Sequence, residues 1–239
     1  MKSSTFLVSI LCAVVLTAPI CKAQSPSTSA STNAGVDNSV RLDVLAAQWW
    51  QWALSIPTTV NPLEDINGAN CMVGQRGPVW FLAGAFNGGT VTRSCSVPDQ
   101  ATLFFPVLNS INFNTPNVCG QGPASISISD LRALSAGFVS GGSKLSASVD
   151  SQPVSPLKHI KSVVFDVALP IDNVFNALCG GPGTVPPNIY SPGVDEGMYV
   201  LLKPLKTGRH ILHIHAENSS QGFAEDITYD LTVVSTELE

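Results

Sequence analysis

Four cysteines constrain this chain more than any other feature of its sequence. Cys71, Cys95, Cys119 and Cys179 are widely spaced and include no Cys-x-x-Cys pair, which argues against a structural zinc site. An even number of cysteines in an exported chain predicts two disulfides. Four cysteines allow three pairings. A hairpin predicted between Cys71 and Cys95 favours that pair, and it leaves Cys119 with Cys179.

The N-terminus predicts export. Lys2 is followed by an uncharged apolar run over residues 6–20, and Cys21-Lys22-Ala23 places small residues at a cleavage site. Residues 1–23 are therefore predicted to be a signal peptide, with an uncleaved anchor as the alternative. Residues 24–38 are rich in Ser, Thr, Ala and Asn, which predicts a flexible leader. Residues 39–239 remain for a single β-rich domain of a secreted or periplasmic protein.

Charge and composition narrow the class of partner. The net charge is −5, charged residues make up 12% of the chain, and no cluster of basic residues occurs. Binding to a phosphate backbone needs several clustered Lys and Arg residues, so nucleic acid is excluded. No segment after the signal is long and apolar enough to be a membrane span. A small molecule or a glycan is the partner class that remains.

A tryptophan-rich helix is predicted over residues 39–56. Leu42, Leu45, Trp49, Trp52 and Ile56 recur at helical spacing and form one apolar stripe. Trp50 lies off this stripe. One interpretation is dense packing of the helix against a sheet. The other makes Trp50 a stacking platform for a sugar or another flat ligand.

The rest of the chain predicts a mainly β fold. Strand-forming runs include residues 79–82, 90–95, 102–108, 160–169, 198–202, 210–216 and 226–234. One further short helix is predicted over residues 129–139, and a long Gly- and Pro-rich loop over residues 180–193. Short strands at close intervals favour a β-sandwich or a jelly-roll-like domain.

His213, His215 and Glu217 are the candidate metal ligands. Side chains alternate along a strand, so these three project from the same face. Two imidazoles and a carboxylate are suitable ligands for a divalent metal ion. Three alternatives remain open: a polar outer face without a ligand, a metal-free binding site, and an acid/base role.

Asp195 and Glu196 form a second candidate site. They follow the Gly- and Pro-rich loop, and two carboxyl groups can serve acid/base chemistry on a glycan. Neighbours in sequence usually point apart, so each carboxyl group needs another partner. The alternative is a solvated turn that leads into a strand.

Several segments resemble a family of uncharacterised secreted proteins, mainly bacterial. The most specific is Trp49-Trp50-Gln51-Trp52-Ala53-Leu54-Ser55. Shorter similar segments cover residues 68–71, 78–84, 103–107, 190–192, 208–213 and 226–233. The resemblance implies export and a compact β-rich domain. It implies no activity, so no residue role follows from it.

The sequence therefore predicts an exported binding or structural protein of unknown ligand, with a carbohydrate as the first expectation. The alternative is a metal-dependent enzyme built on His213 and His215, with Glu217 as a ligand or general base. No complete catalytic motif is present, so whether the protein is an enzyme is left open. The cofactor is accordingly either absent or a divalent metal ion.

Overall fold

The structure is a computed structural model that describes residues 40–236. The predicted signal peptide and leader lie outside the described residues. The helices are α1 Leu42–Ser55, α2 Ile128–Ser140 and α3 Phe175–Leu178. The strands are β1 Val79–Phe81, β2 Gly89–Pro98, β3 Thr102–Phe113, β4 Ser143–Val149, β5 Gln152–Pro153, β6 Lys158–Lys161, β7 Phe165–Leu169, β8 Asn188–Leu202, β9 Gly208–Asn218 and β10 Phe223–Val234.

Two five-stranded sheets form the body of the fold. The first sheet has the order β1-β3-β8-β6, and β7 also pairs with β8. The second sheet has the order β2-β10-β9-β4-β5. The β1–β3 and β2–β10 pairs are parallel, and the other pairs are antiparallel. The prediction of a mainly β, sandwich-like domain with a tryptophan-rich helix is confirmed.

The first sheet lies between α1 and the second sheet. Strand β3 shows this arrangement, because its side chains alternate between two separate apolar clusters. Phe104 packs with the α1 side chains, whereas Leu103 and Phe105 pack with the inner faces of β9 and β10. The core is thus divided into a helix–sheet layer and a sheet–sheet layer, both with fully buried aromatic residues.

Helix α1 is buried on more sides than one apolar stripe requires. Trp49, Trp50 and Trp52 are all buried, whereas Gln48 and Gln51 on the remaining side are exposed. Each indole N–H has an acceptor: Trp49 donates to the carbonyl of Leu82 at 2.9 Å, Trp52 to that of Val73 at 2.9 Å, and Trp50 to a carboxylate. The helix begins at Leu42 rather than at residue 39, and no side chain caps it.

Three predictions about strands need correction. Residues 160–169 are two strands, β6 and β7, because Ser162 interrupts the run to bind the backbone of β8. No hairpin lies between Cys71 and Cys95, since β1 and β2 belong to different sheets. The predicted loop over residues 180–193 ends earlier, because β8 already begins at Asn188.

Both predicted disulfides are present. Cys71 is bonded to Cys95, with the two Cα atoms 6.1 Å apart. Cys119 is bonded to Cys179, with a Cα–Cα distance of 5.0 Å. The first pairing was inferred from a hairpin that does not exist. What brings its cysteines together is the loop before β1, whose Asn67 carbonyl accepts a hydrogen bond from Ser94 on β2.

Helix α2 packs on β3 and β8. Its N-cap is Ser127, whose hydroxyl accepts a hydrogen bond from the amide of Asp130. Leu131, Ser135 and Val139 are its buried residues. None of the helices in residues 40–236 has the length and apolar character that crossing a membrane requires.

Candidate functional site

A cleft of about 240 Å³ opens where α1, β3, α2, α3 and the start of β10 meet. Most of its walls are aromatic or aliphatic, and its polar groups are few. Its lining residues are Trp49, Trp50, Leu63, Gly84, Ala85, Phe86, Leu108, Asn109, Ser110, Ile111, Phe138, Phe175, Phe223 and Glu225. An apolar concave surface with a few convergent polar groups is the usual form of a small-molecule site.

Two pairs of aromatic rings form part of the cleft wall. Phe138 of α2 and Phe223 of β10 lie edge to face with ring centroids 5.7 Å apart. Phe86 and Phe175 have the same arrangement at 5.5 Å. All four rings are only half-buried, although each is large and apolar. A group of partly exposed aromatic rings around a concave surface is a feature of ligand sites.

Glu225 is the ionisable residue of the cleft. It lies on the inner face of β10, in register with Ala216 of β9, and is 5% exposed. Its Oε2 accepts a hydrogen bond from the amide of Ala85 at 2.9 Å, and no group in residues 40–236 donates to its Oε1. Burial raises the pKa of Glu225 to about 7, although the Ala85 amide and Arg93 act against the rise.

A buried arginine fixes the segment that holds Glu225. Arg93 is 1% exposed, and its guanidinium donates to the carbonyl oxygens of Asp65, Ala83 and Gly84 and to the hydroxyl of Tyr229. The guanidinium therefore ties residues 83–85 to the second sheet, and this fixes the position of the Ala85 amide. A Cβ at Gly84 would lie 3.2 Å from Glu225 Oε2, so a larger residue here would require the Glu225 side chain to shift.

A hydrogen-bonded network lies behind the cleft wall. The Trp50 indole donates to Asp195 Oδ1 at 2.7 Å, and the Tyr199 hydroxyl donates to Asp195 Oδ2 at 2.8 Å. Asn109, which lines the cleft, donates to the Tyr199 oxygen at 2.9 Å. The Asp195 amide donates to Ser162 Oγ at 2.8 Å. Trp50 and Asn109 thus connect the cleft surface to a fully buried carboxyl group.

Burial raises the pKa of Asp195 to about 8, because a charge at this depth has lost its water. Hydrogen bonds from Trp50 and Tyr199 oppose the rise, and the nearby charge of Glu196 adds to it. The same burial raises the pKa of Tyr199 well above its usual value. Shifts of this kind cluster at functional sites, although structural networks also produce them.

The structure corrects the placement of Asp195 and Glu196. They were predicted in or beside a loop, but both lie within β8 and are buried, with exposures of 0% and 4%. The glycines on either side of the two acids, Gly193 and Gly197, have a packing role. A Cβ on Gly193 would lie 3.0 Å from Val167, and one on Gly197 would lie 2.6 Å from the Tyr199 ring. Close neighbouring side chains, not a turn, explain these glycines.

The two neighbouring carboxyl groups point to different partners, as adjacent strand residues do. Glu196 Oε1 lies 2.8 Å from His159 Nε2, and Glu196 Oε2 lies 3.6 Å from Lys161 Nζ. Glu196 Oε2 is buried and makes no hydrogen bond within residues 40–236. Glu196 therefore belongs to a separate ion-pair group at strand β6, and it does not share the Asp195 site.

His213, His215 and Glu217 lie together on the outer face of the second sheet, as their alternation predicted. His213 Nε2 is 2.9 Å from Asp226 Oδ1, and His215 Nδ1 is 3.0 Å from Asp226 Oδ2. His215 Nε2 is 3.4 Å from Glu217 Oε1, which also pairs with Lys144 at 3.0 Å. Hydrogen bonds from His213, then from His215, hold the pKa of Asp226 below its usual value.

These side chains form pairwise contacts with each other and do not converge on a common point. Within residues 40–236, no group of three or more His, Cys, Asp or Glu residues has a geometry that would hold a metal ion. His159, the histidine outside β9, pairs with Glu196 in the other sheet and does not join the group. A metal ion at His213, His215 and Glu217 stays a prediction.

The sequence did not predict most of the residues that line the cleft. Glu225 had a detectable signal, because it shares its strand face with Ile227, Tyr229 and Leu231, which are all buried. A carboxylate on the apolar face of a strand indicates a buried charge with a special role. The phenylalanines gave no comparable signal, because they come from separate elements that meet only in the fold.

A comparison of the chain with protein-family models, curated proteins and solved structures finds no match. The resemblance to a family of secreted proteins stays a prediction.

Proposed function

We propose that this protein is an exported, non-enzymatic binding protein whose cleft holds one small organic ligand. The observation that carries the proposal is the position of Glu225, a nearly buried carboxyl group with one free oxygen, among half-buried aromatic rings. Burying a carboxyl group is unfavourable when its hydrogen-bonding capacity is not filled. Glu225 Oε1 keeps contact with solvent, so a ligand that enters the cleft can reach it and fill this capacity.

The size of the cleft limits the ligand. Drug-sized ligands occupy pockets of about 300–1,000 Å³, and the cleft of about 240 Å³ lies below this range. A single ring or a small head group fits this volume. A monosaccharide, one member of the carbohydrate class that the sequence predicts, has the size of one ring, and Asn109 and Ser110 of the cleft offer hydrogen bonds to hydroxyl groups.

Two disulfides support export. Disulfides persist in oxidising compartments and are rare in the reducing cytosol. Both bonds lie in the described domain. A secreted or periplasmic location is therefore part of the proposal, and so is removal of the predicted signal peptide.

The experiment is a ligand screen by two-dimensional NMR, with the indole N–H of Trp50 as the reporter. The probes are common monosaccharides and small neutral, anionic and cationic organic compounds. At least one class is expected to shift the Trp50 signal and to bind more weakly to Glu225→Gln and Phe138→Ala. Leu134→Ala is the matched control for Phe138, because Leu134 lies exposed on the same helix.

The control variant should bind like the unmodified protein. If no probe perturbs the cleft, or if every hit maps to another surface, the proposal is wrong.

A further inference from the structure

The cleft presents one type of charge. Among its lining residues Glu225 is the only ionisable group, and no Lys, Arg or His lies beside it. The nearest cation acting on it is Arg93, whose guanidinium contacts Gly84 on the far side of the 83–85 segment. Arg93 is already bound by carbonyl groups and a hydroxyl group. A ligand entering the cleft therefore meets a carboxyl oxygen with no cation in front of it.

Aromatic rings line the same cleft as this carboxyl group. Phe223 lies two residues before Glu225 on the same strand face, and Phe138 packs against Phe223. Phe86, Phe175 and Trp50 line the remaining wall. The face of an aromatic ring carries partial negative charge and attracts cations, most strongly where water is excluded. Ring faces and a carboxylate together are the usual surroundings of an alkylated ammonium group.

A cation also relieves the cost of the buried charge. Burial raises the pKa of Glu225 to about 7, so its ionised form is less favoured than that of an exposed glutamate. An opposite charge within about 4–6 Å favours the ionised form, whereas a neutral sugar gains nothing comparable. The gain is larger in an apolar cleft than in water, because the local dielectric constant is lower.

From this arrangement we infer that the cleft binds an organic ammonium cation, with the charged nitrogen between Glu225 Oε1 and the phenylalanine rings. The inference rests on the proposed binding function and names the ligand class for the same site. The small volume of the cleft suits a head group such as trimethylammonium, and a larger remainder of the ligand would extend outside.

The test compares a cation with a neutral molecule of the same shape. Choline and 3,3-dimethylbutan-1-ol differ in the charge of one central atom, so shape and apolar area are matched. Each is titrated into the full mature chain at pH 8, with the Trp50 indole signal as the readout. Choline is expected to bind at least about tenfold more tightly, which is within the strength of a desolvated cation–π contact.

Two variants test whether Glu225 causes the preference of the cleft for choline over the neutral alcohol. Glu225→Gln keeps an acceptor for the Ala85 amide and removes the charge, so the preference for choline should fall well below tenfold, to the part that the aromatic rings supply. Asp230→Asn is the matched control, because Asp230 is on the same strand but pairs with Arg209 on the outer face. This control should keep the tenfold preference. Thermal unfolding of each variant verifies that it is folded.

The possible results separate the inference from the proposed function. If the neutral alcohol or a monosaccharide binds at the cleft and choline does not, the ammonium inference is wrong and the binding function stands. If choline binds equally well to Glu225→Gln, the inference is also wrong. If no probe binds at the cleft, both fail. Should Glu225→Gln not fold, the comparison on the unmodified protein still decides.

Discussion

Asp195 shows how a single residue can change character between sequence and structure. In sequence it is one of two adjacent acids after a Gly- and Pro-rich stretch. In the fold it is completely buried, and both its oxygens accept hydrogen bonds, from Trp50 and from Tyr199. Trp50, for which a stacking platform and dense packing were the two interpretations, is a buried donor that also lines the cleft. These two residues were selected separately as binding residues, and the structure brings them together.

The buried carboxyl groups make stability depend on pH. The pKa of Asp195 is about 8 when folded, against an ordinary value near 3.8, so the folded chain holds a proton that the unfolded chain releases. Stability from this group is therefore present at acidic pH and is lost as the pH rises from about 4 to about 8. Glu225 acts in the same direction up to about pH 7.

Asp195→Asn should remove this dependence, because the amide keeps an acceptor for the Trp50 indole and carries no charge. We expect its free energy of unfolding at pH 8.5 to exceed that of the unmodified protein by at least about 1 kcal/mol, with the difference shrinking toward pH 4.5. Urea unfolding at several pH values measures this. A constant difference across the range would contradict a charged Asp195 in the native state at high pH.

At the scale of elements, the alternation of apolar and polar residues predicts the direction of side chains correctly where only one face of a strand is apolar. From Leu212 onward, β9 has alternating buried and half-buried residues, and His213 and His215 point outward as predicted. The same alternation did not predict the extent of strand β8, because β8 is buried on both faces and includes two glycines and a proline. A strand in the middle of a sheet receives its hydrogen bonds from β3, β6 and β7, and these partners outweigh local propensity.

The outer face of β9 yields a prediction about metal. Asp226 contacts one nitrogen of each imidazole and leaves the other nitrogen for a ligand, but no group of three or more possible ligands in residues 40–236 has the geometry to hold a metal ion. We expect protein purified without a histidine tag to contain no stoichiometric metal by mass spectrometry, and His213→Ala to leave this unchanged. One metal ion per chain that is lost in His213→Ala would instead support the metal-dependent enzyme.

At the scale of the whole molecule, the disulfides connect parts that the sheets keep separate. Cys71–Cys95 ties the loop before β1, a strand of the first sheet, to the second sheet. Cys119–Cys179 joins the segment after β3 to the end of α3 and lines a separate pocket. Phe113 and Phe175, whose rings are 5.2 Å apart, line the same pocket, and Phe175 also lines the cleft.

Removing the two disulfides should lower the free energy of unfolding by different amounts. The chain-entropy model gives about 3.5 kcal/mol for the shorter loop and about 4.3 kcal/mol for the longer one, for sequence separations of 24 and 60 residues. Paired Cys→Ala variants measured by urea unfolding test this order.

Titration of thiols in the denatured, unreduced protein should find almost none, and four free thiols would contradict both bonds.

The sequence alone determined the properties that depend on neighbours along the chain. These are the number of cysteines, the alternation of β9, the presence of the tryptophan-rich helix and the mainly β class. The cleft was decided by tertiary structure, because its phenylalanines come from α2, α3, β10 and the segment after β1. Periodicity cannot reveal which distant faces will meet. The same limit applied to Asp195, since only the packed fold removes its water and supplies Trp50 and Tyr199 instead.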